Sequence, residues 1–311
     1  MTRVFKTPET FNHLHIREFL NSIRDLFLLS GKQVPEVFFD VDGTRTINII
    51  GALLVYKFLD YSRHNHCFLN PKTNINTKKN PKNTITSELI SMGFKKLVEE
   101  NFNKPIPLDK ELKFQDNGDC FISPTVLEKD TAISGYGKQN ELRISNYYSY
   151  NDLIASTILS CMGEISSNFQ EHAEIDTRSV IVAKGNKNHF EIACADNGIG
   201  IVSSLKSMYG KKYDRSEYIL LEESIKRGVS SKLSESHMGC GLWLVNQYVT
   251  NSKGYFCMYS ENAYLINKKG RIKCGESPYW KGTIVYLDIP LGNPACFADV
   301  LQSVKPKKQY I

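Results

Sequence analysis

Residues 189–201 read HFEIACADNGIGI, an apolar strand that runs without a break into Asp196-Asn197-Gly198-Ile199-Gly200. A strand that delivers a carboxylate into a Gly-x-Gly turn sets an acceptor at the end of a sheet, where bare backbone lets a flat ligand come close. An adenine amino group suits that carboxylate, although a plain strand-ending turn of the Asp/Asn-Gly type has the same letters. A strand over RSVIVAKG (178–185) precedes it, and Lys281-Gly282-Thr283 opens the alternating run IVYLDI, which closes the sheet.

Ahead of these strands, 151–174 places Ile154, Ile158, Cys161, Ile165 and Phe169 at helical spacing. Glu164, Asn168 and His172 step by four along the border of that stripe. One helix therefore presents a carboxylate and an amide side by side, close enough to act on one ligand. An amide oxygen can join phosphate oxygens and waters around Mg²⁺, and a carboxylate one turn away can orient or deprotonate a nucleophile. An ordinary surface helix shows the same spacing. Downstream, a helix over Arg215–Arg227 leads into a polar run, Gly228–Met238, that has the position of a lid. Gly239-Cys240-Gly241 then opens an apolar helix over Leu242–Val249. Such a loop offers backbone N–H groups and a positive dipole end to an anion, phosphate above all. No G-K-[ST] follows, so it is not a Walker A loop, and no strand feeds it as in a dinucleotide fingerprint.

The N-terminal half is organised differently. Phe11, Leu14, Ile16, Phe19, Leu20, Ile23, Leu26 and Phe27 predict an amphipathic helix over 9–30. VFFDV (37–41), the pair Asp42-Gly43 and an apolar stretch from Ile50 to Tyr61 read as strand, turn and helix, and 85–102 as a further helix ended by Pro105 and Pro107. A small α/β unit over 1–125 is expected, then an irregular connector over 126–147 within the glycine-containing stretch 103–147, then a second unit over 148–311. The segment 37–62 resembles the start of a STAS-like domain, the fold of anti-anti-sigma factors. The loop that carries a phosphorylatable serine there corresponds to Asn48-Ile49-Ile50-Gly51, which has no hydroxyl.

The chain has 311 residues, enough for two domains, and 41% hydrophobic residues can give each a core. No apolar run is long enough to span a bilayer and the N-terminus lacks a signal-peptide core, so a cytoplasmic protein without membrane contact is expected. Eight scattered cysteines form no C-x-x-C pair and fit a reducing compartment. His64, His66 and Cys67 lack a fourth ligand at zinc-finger spacing, which favours coincidence. Part of the +6 net charge lies in the Asn/Lys-rich segment 70–84, which reads as a solvated loop. Without an aromatic residue to stack a base, nucleic acid is not the expected partner.

In order, these motifs are a helix with E-x-x-x-N, a strand with D-x-G-x-G, a lid, G-x-G-L into a helix, and G-T at a last strand. The series resembles the GHKL family (gyrase, heat-shock chaperones, histidine kinases and MutL) over about 148–290. The resemblance implies a Bergerat fold, an α/β two-layer sandwich, with ATP and Mg²⁺ as ligands. Carried over, Glu164 matches the catalytic carboxylate, Asn168 the Mg²⁺ ligand, Asp196 the adenine-reading carboxylate, and Gly198 and Gly200 the turn beneath the base. Gly239, Cys240, Gly241 and Leu242 match the phosphate loop and the start of its helix, and Thr283 the hydroxyl near the base pocket. Lys232 of the lid could take the place of the lysine that gyrase-like ATPases draw from a further domain, for which the residues after Pro290 are too few. No phosphoacceptor histidine precedes the domain, which argues against a sensor histidine kinase. The expectation is an ATP/Mg²⁺-binding regulatory protein that hydrolyses ATP slowly, with lid closure altering a surface for a protein partner. Self-association into a homodimer stays open. A serine/threonine kinase of the anti-sigma type acting in trans and a non-hydrolysing nucleotide switch are the alternatives.

Overall fold

The computed structural model describes residues 3–25, 27, 37–40, 43–65, 91–94, 97, 119–127, 133–149, 151–172, 178–209, 216–230, 239–292, 294 and 300. In chain order, the N-terminal part holds β1 (Arg3–Lys6), β2 (Thr10–Phe11), α1 (Ile16–Ile23), β3 (Val37–Asp40), β4 (Thr46–Ile47) and α2 (Ile49–Asn65). β5 (Cys120–Leu127), α3 (Ile133–Tyr147), α4 (Asp152–His172), β6 (Ser179–Gly185) and β7 (His189–Ala195) follow. The chain continues through α5 (Ile201–Tyr209), α6 (Glu217–Glu223), α7 (Gly241–Asn251), β8 (Tyr255–Lys268) and β9 (Arg271–Pro290).

The fold is mixed α/β. β5, β6, β7, β9 and β8 lie in that order in one five-stranded antiparallel sheet. Side chains of a strand alternate between faces, and here both faces are apolar. Val180, Val182, Ala193, Ala195, Cys257, Tyr259, Ile284 and Tyr286 pack with α1 and α2. Their neighbours Ile181, Ala183, Ile192, Cys194, Met258, Val285 and Leu287 pack with Ile158, Cys161, Ile165 and Phe169 of α4 and with Trp243, Val245 and Val249 of α7. The sheet therefore has helices on both sides. The two layers expected of the C-terminal half gain a third, because a sheet apolar on both faces must have both covered. β1 with β3 and β2 with β4 form two short parallel pairs outside this sheet.

Several expectations need correction. The helix expected over 9–30 spans only Ile16–Ile23 where the chain is described. Asn12 Oδ1 accepts from the Leu14 N–H at 2.9 Å, a local turn that competes with helix, while Phe11 enters the core from β2. The stretch 103–147 is not irregular where described: it supplies β5, an edge strand of the main sheet, and α3. β5 slips register between Ile122 and Thr125, on either side of Pro124, which an edge strand tolerates. Asn48 Oδ1 accepts from the Gly51 N–H at 3.2 Å, so Asn48-Ile49-Ile50-Gly51 is a capped first helical turn. α5 and β8 had no counterpart in the sequence reading. The loop 70–84, most of 85–102, His66, Cys67, Lys232 and most of the lid lie outside the described residues. No helix among the described residues is long and apolar enough to cross a membrane.

α2 is apolar nearly all round and correspondingly buried. It also carries Lys57 and Asp60, whose side chains are 0% and 5% exposed. Lys57 Nζ donates to Asp60 Oδ2 at 3.1 Å and to the Arg178 carbonyl at 2.9 Å, while the Arg178 guanidinium donates to Asp60 Oδ1 at 2.9 Å. The network fastens α2 to the residue that enters β6. Removing Asp60 leaves the buried Lys57 ammonium without its carboxylate in low dielectric, so Asp60→Ala should destabilise the protein by about 3 kcal/mol. The expected observation is a lower urea midpoint at unchanged slope.

Candidate functional site

α4 packs against β6, β7 and α7, so its polar edge faces the start of α7. Glu164 and Asn168 stand one turn apart on that edge, both half-buried. Asn168 Nδ2 donates to the Glu164 carbonyl at 2.7 Å. This turns Oδ1, the end of the amide suited to a cation, away from the helix backbone. Gly241 is the first residue of α7. A Cβ there would lie 2.6 Å from Glu164 Oε2 and 3.0 Å from Asn168 Nδ2. Glycine at 241 thus lets the N-terminus of α7 come against the carboxylate and amide together. Cys240 caps α7 without a side-chain hydrogen bond, and the first turn has no acidic residue. Helix N-termini of this kind offer backbone N–H groups to anionic oxygens, and here the Glu164 carboxylate stands beside that end.

The lid segment begins and ends at one place. Gly228 N–H donates to the Gly239 carbonyl at 2.9 Å, which closes the base of the intervening loop beside the start of α7. At that mouth the Arg227 guanidinium lies 5.4 Å from the Trp243 ring centroid, an arrangement in which the ring quadrupole attracts the cation.

The second cluster surrounds Asp196, just past the end of β7 and only 5% exposed. Oδ1 accepts from the Gly198 N–H at 2.7 Å and the Thr283 N–H at 3.1 Å. Asp196 N–H donates to the Thr283 carbonyl at 3.0 Å, and Trp280 Nε1 donates to the Asp196 carbonyl at 3.0 Å. Gly282 has φ +100°, and its missing Cβ would collide with Asp196 Oδ1 and stand 2.7 Å from the Gly198 nitrogen. A side chain at 282 is therefore excluded both by backbone conformation and by space. Asn197 Nδ2 donates to the Lys281 carbonyl at 3.3 Å. The two backbone donors on Oδ1 fix the direction of the carboxylate.

Gly200 leads directly into α5, whose start is held from β8. Ile201 N–H donates to Ser260 Oγ at 2.9 Å, Ser203 N–H to Glu261 Oε2 at 2.7 Å, and Ser203 Oγ–H to Glu261 Oε1 at 2.6 Å. Glu261 stands at φ +54° where the β8–β9 register is irregular. Its carboxyl is capping a helix from a distant strand.

The structure thus brings Glu164, Asn168 and Gly241 together, and Asp196, Gly198, Gly282 and Thr283 together. Gly239 and Cys240 lie beside the first group, Leu242 follows in α7, and Gly200 extends the second. Lys232 lies outside the described residues. Trp280, Ser260, Glu261 and Arg227 were missed from sequence. Each acts from a segment far along the chain or from a side of a loop that no local pattern marks. Among the described residues no group of three or more His, Cys, Asp or Glu could hold a metal ion. Asn168 could supply one oxygen, with phosphate and water completing a magnesium shell. His64 Nδ1 is instead hydrogen-bonded to the Asp60 carbonyl at 2.8 Å. Compared with known proteins, the chain matches no family model and no curated sequence.

Burial raises the Glu261 carboxyl above the usual 4.5, against the opposing pull of the Ser203 hydroxyl and N–H. Only between the unfolded value and the raised native one does the native state hold a proton that the unfolded chain has lost. Stability from this group is complete below 4.5 and declines as pH rises through the elevated native value. Urea unfolding between pH 4 and 7 should show Glu261→Gln gaining on wild type as pH increases. An unchanged difference across that range contradicts this assignment.

Proposed function

We propose that the chain is an ATP/Mg²⁺-binding regulatory protein of the GHKL type, with a Bergerat-like nucleotide site and slow ATP hydrolysis. The observation that carries the reading is the approach of Gly241 to Glu164 and Asn168. It brings a helix N-terminus, a side-chain amide and a carboxylate to one place, the kinds of group a nucleoside triphosphate with its cation requires. Asp196 supports it, since a carboxylate oriented by the Gly198 and Thr283 N–H groups suits the adenine amino group, with Thr283 beside it.

In this reading the first-turn N–H groups of α7, with Gly239, Cys240, Gly241 and Leu242, hold phosphate oxygens. Asn168 Oδ1 would hold the cation, whose contribution when bound is to neutralise charge on the phosphates. Glu164 orients and deprotonates the nucleophile, either a water or the hydroxyl of a partner protein. Gly198 and Gly200 form the turn under the base. Lys232, on the lid, is assigned to the terminal phosphate. The hydrogen bond between Gly228 and Gly239 supports a lid hinged beside the phosphate loop, whose closure would change the surface offered to a protein partner.

The test is titration of the purified chain with Mg-ATP, alongside phosphate release. Asp196→Asn and Asn168→Ala should each weaken ATP binding by tenfold or more, with the Asn168 effect disappearing when EDTA replaces Mg²⁺. Glu164→Gln should retain binding and lose release. Binding without release in wild type directs the search to a phosphoacceptor hydroxyl or a non-hydrolysing switch. Absence of ATP binding to wild type refutes the reading.

A further inference from the structure

We propose that Trp280 is a positioning residue for Asp196, and that through Trp280 the N-terminal segment and ATP strengthen each other's binding. The proposal rests on the ATP reading above and names how that site is regulated.

The ladder between β8 and β9 is interrupted next to Asp196. Ser260 pairs with Thr283 and the adjacent Glu261 pairs with Trp280, so Lys281 and Gly282 bulge out of the pairing. A bulge lacks ladder bonds and takes its shape from other contacts. Ser260 Oγ–H donates to the Gly282 carbonyl at 3.0 Å, and on one side the remaining contacts run to Asp196 and Asn197. The Trp280 indole donates to the Asp196 carbonyl at 3.0 Å, Thr283 N–H to Asp196 Oδ1 at 3.1 Å, and the Lys281 carbonyl accepts from Asn197 Nδ2 at 3.3 Å.

On the other side the bulge is held by the N-terminal segment. The Phe27 ring meets Trp280 edge-on at 5.6 Å and Tyr279 at 5.5 Å, and packs on Tyr61 of α2 at 4.8 Å. Lys281 Nζ lies 5.5 Å from the Tyr61 ring centroid. Trp280 itself is fully buried. The segment 280–283 is therefore clamped between Phe27 and Tyr61 on one side and the carboxylate that would read the base on the other. Loosening the first side widens the range of positions open to the second, and the coupling is reciprocal by linkage.

The experiment titrates wild type, Trp280→Phe, Phe27→Ala and the double variant with Mg-ATP and with Mg-tripolyphosphate, at a temperature where thermal melts show all four folded. Tripolyphosphate engages the phosphate side without a base. Trp280→Phe keeps the ring contact and loses the N–H donor, and should weaken ATP binding by roughly five- to tenfold. Phe27→Ala touches nothing at Asp196 and should weaken it about threefold, with the two effects less than multiplicative in the double variant. Tripolyphosphate affinity should stay within about twofold throughout. Hydrogen exchange in α2 should slow when ATP is added to wild type. ATP affinity unchanged in Trp280→Phe, or equal losses for ATP and tripolyphosphate, overturns the positioning role. An unchanged Phe27→Ala overturns the coupling. Failure of wild type to bind ATP is a different result, which removes the nucleotide reading and this proposal with it.

Discussion

The rest of the structure depends on the apolar character of both faces of the central strands. In β7 and β9, successive residues such as Ala193 and Cys194, or Val285 and Tyr286, point to opposite sides and are buried on each. An antiparallel sheet commonly leaves one face to water, but here exposure of either would leave a broad apolar surface. Helices α4 and α7 cover one face and α1 and α2 the other. The first pair carries the glycine loop and the Glu164–Asn168 edge, so the candidate site is a consequence of covering one face. The second pair ties the N-terminal segment to the back of the same strands.

This arrangement places ion pairing where it is costly. Lys57 enters a core that could have been wholly apolar, and it is accommodated by Asp60 from the next turn of α2 and by Arg178 from the entry to β6. Hydrophobic burial has little direction of its own, whereas the hydrogen bonds of Lys57, Asp60 and Arg178 do. In this protein the network ties α2 to the entry of β6, whose neighbour β7 runs on into Asp196.

Much of the C-terminal half was visible in sequence because its signals are local. The period of α4, the strands at 179–185 and 189–195, and the Gly-Cys-Gly entry to α7 each depend on residues within one element. The N-terminal half was less readable because its signals compete. Phe11 fits the helical period of 9–30 and also a strand, and the Asn12 turn decides for the strand. β5 was hidden by its surroundings: a stretch interrupted by Pro124 and flanked by polar residues reads as connector, and only pairing with β6 makes it a strand. Trp280 and Glu261 could not be assigned because their partners, Asp196 and Ser203, lie far away along the chain.

The same contrast separates what a motif can specify from what only the fold can. D-x-G-x-G supplies a carboxylate and a turn, yet the direction of that carboxylate is set by N–H groups from Gly198 and Thr283 together. One donor is within the motif and the other arrives from β9. Gly282 adds a steric condition, since any larger residue there would occupy the space of Asp196 itself. The site is therefore best regarded as the meeting of β7 with a bulge in β9, and the chemistry available to Asp196 depends on whatever holds that bulge in place. The contacts on its far side come from Phe27 and Tyr61, so the N-terminal segment bears on the geometry of a carboxylate it does not touch.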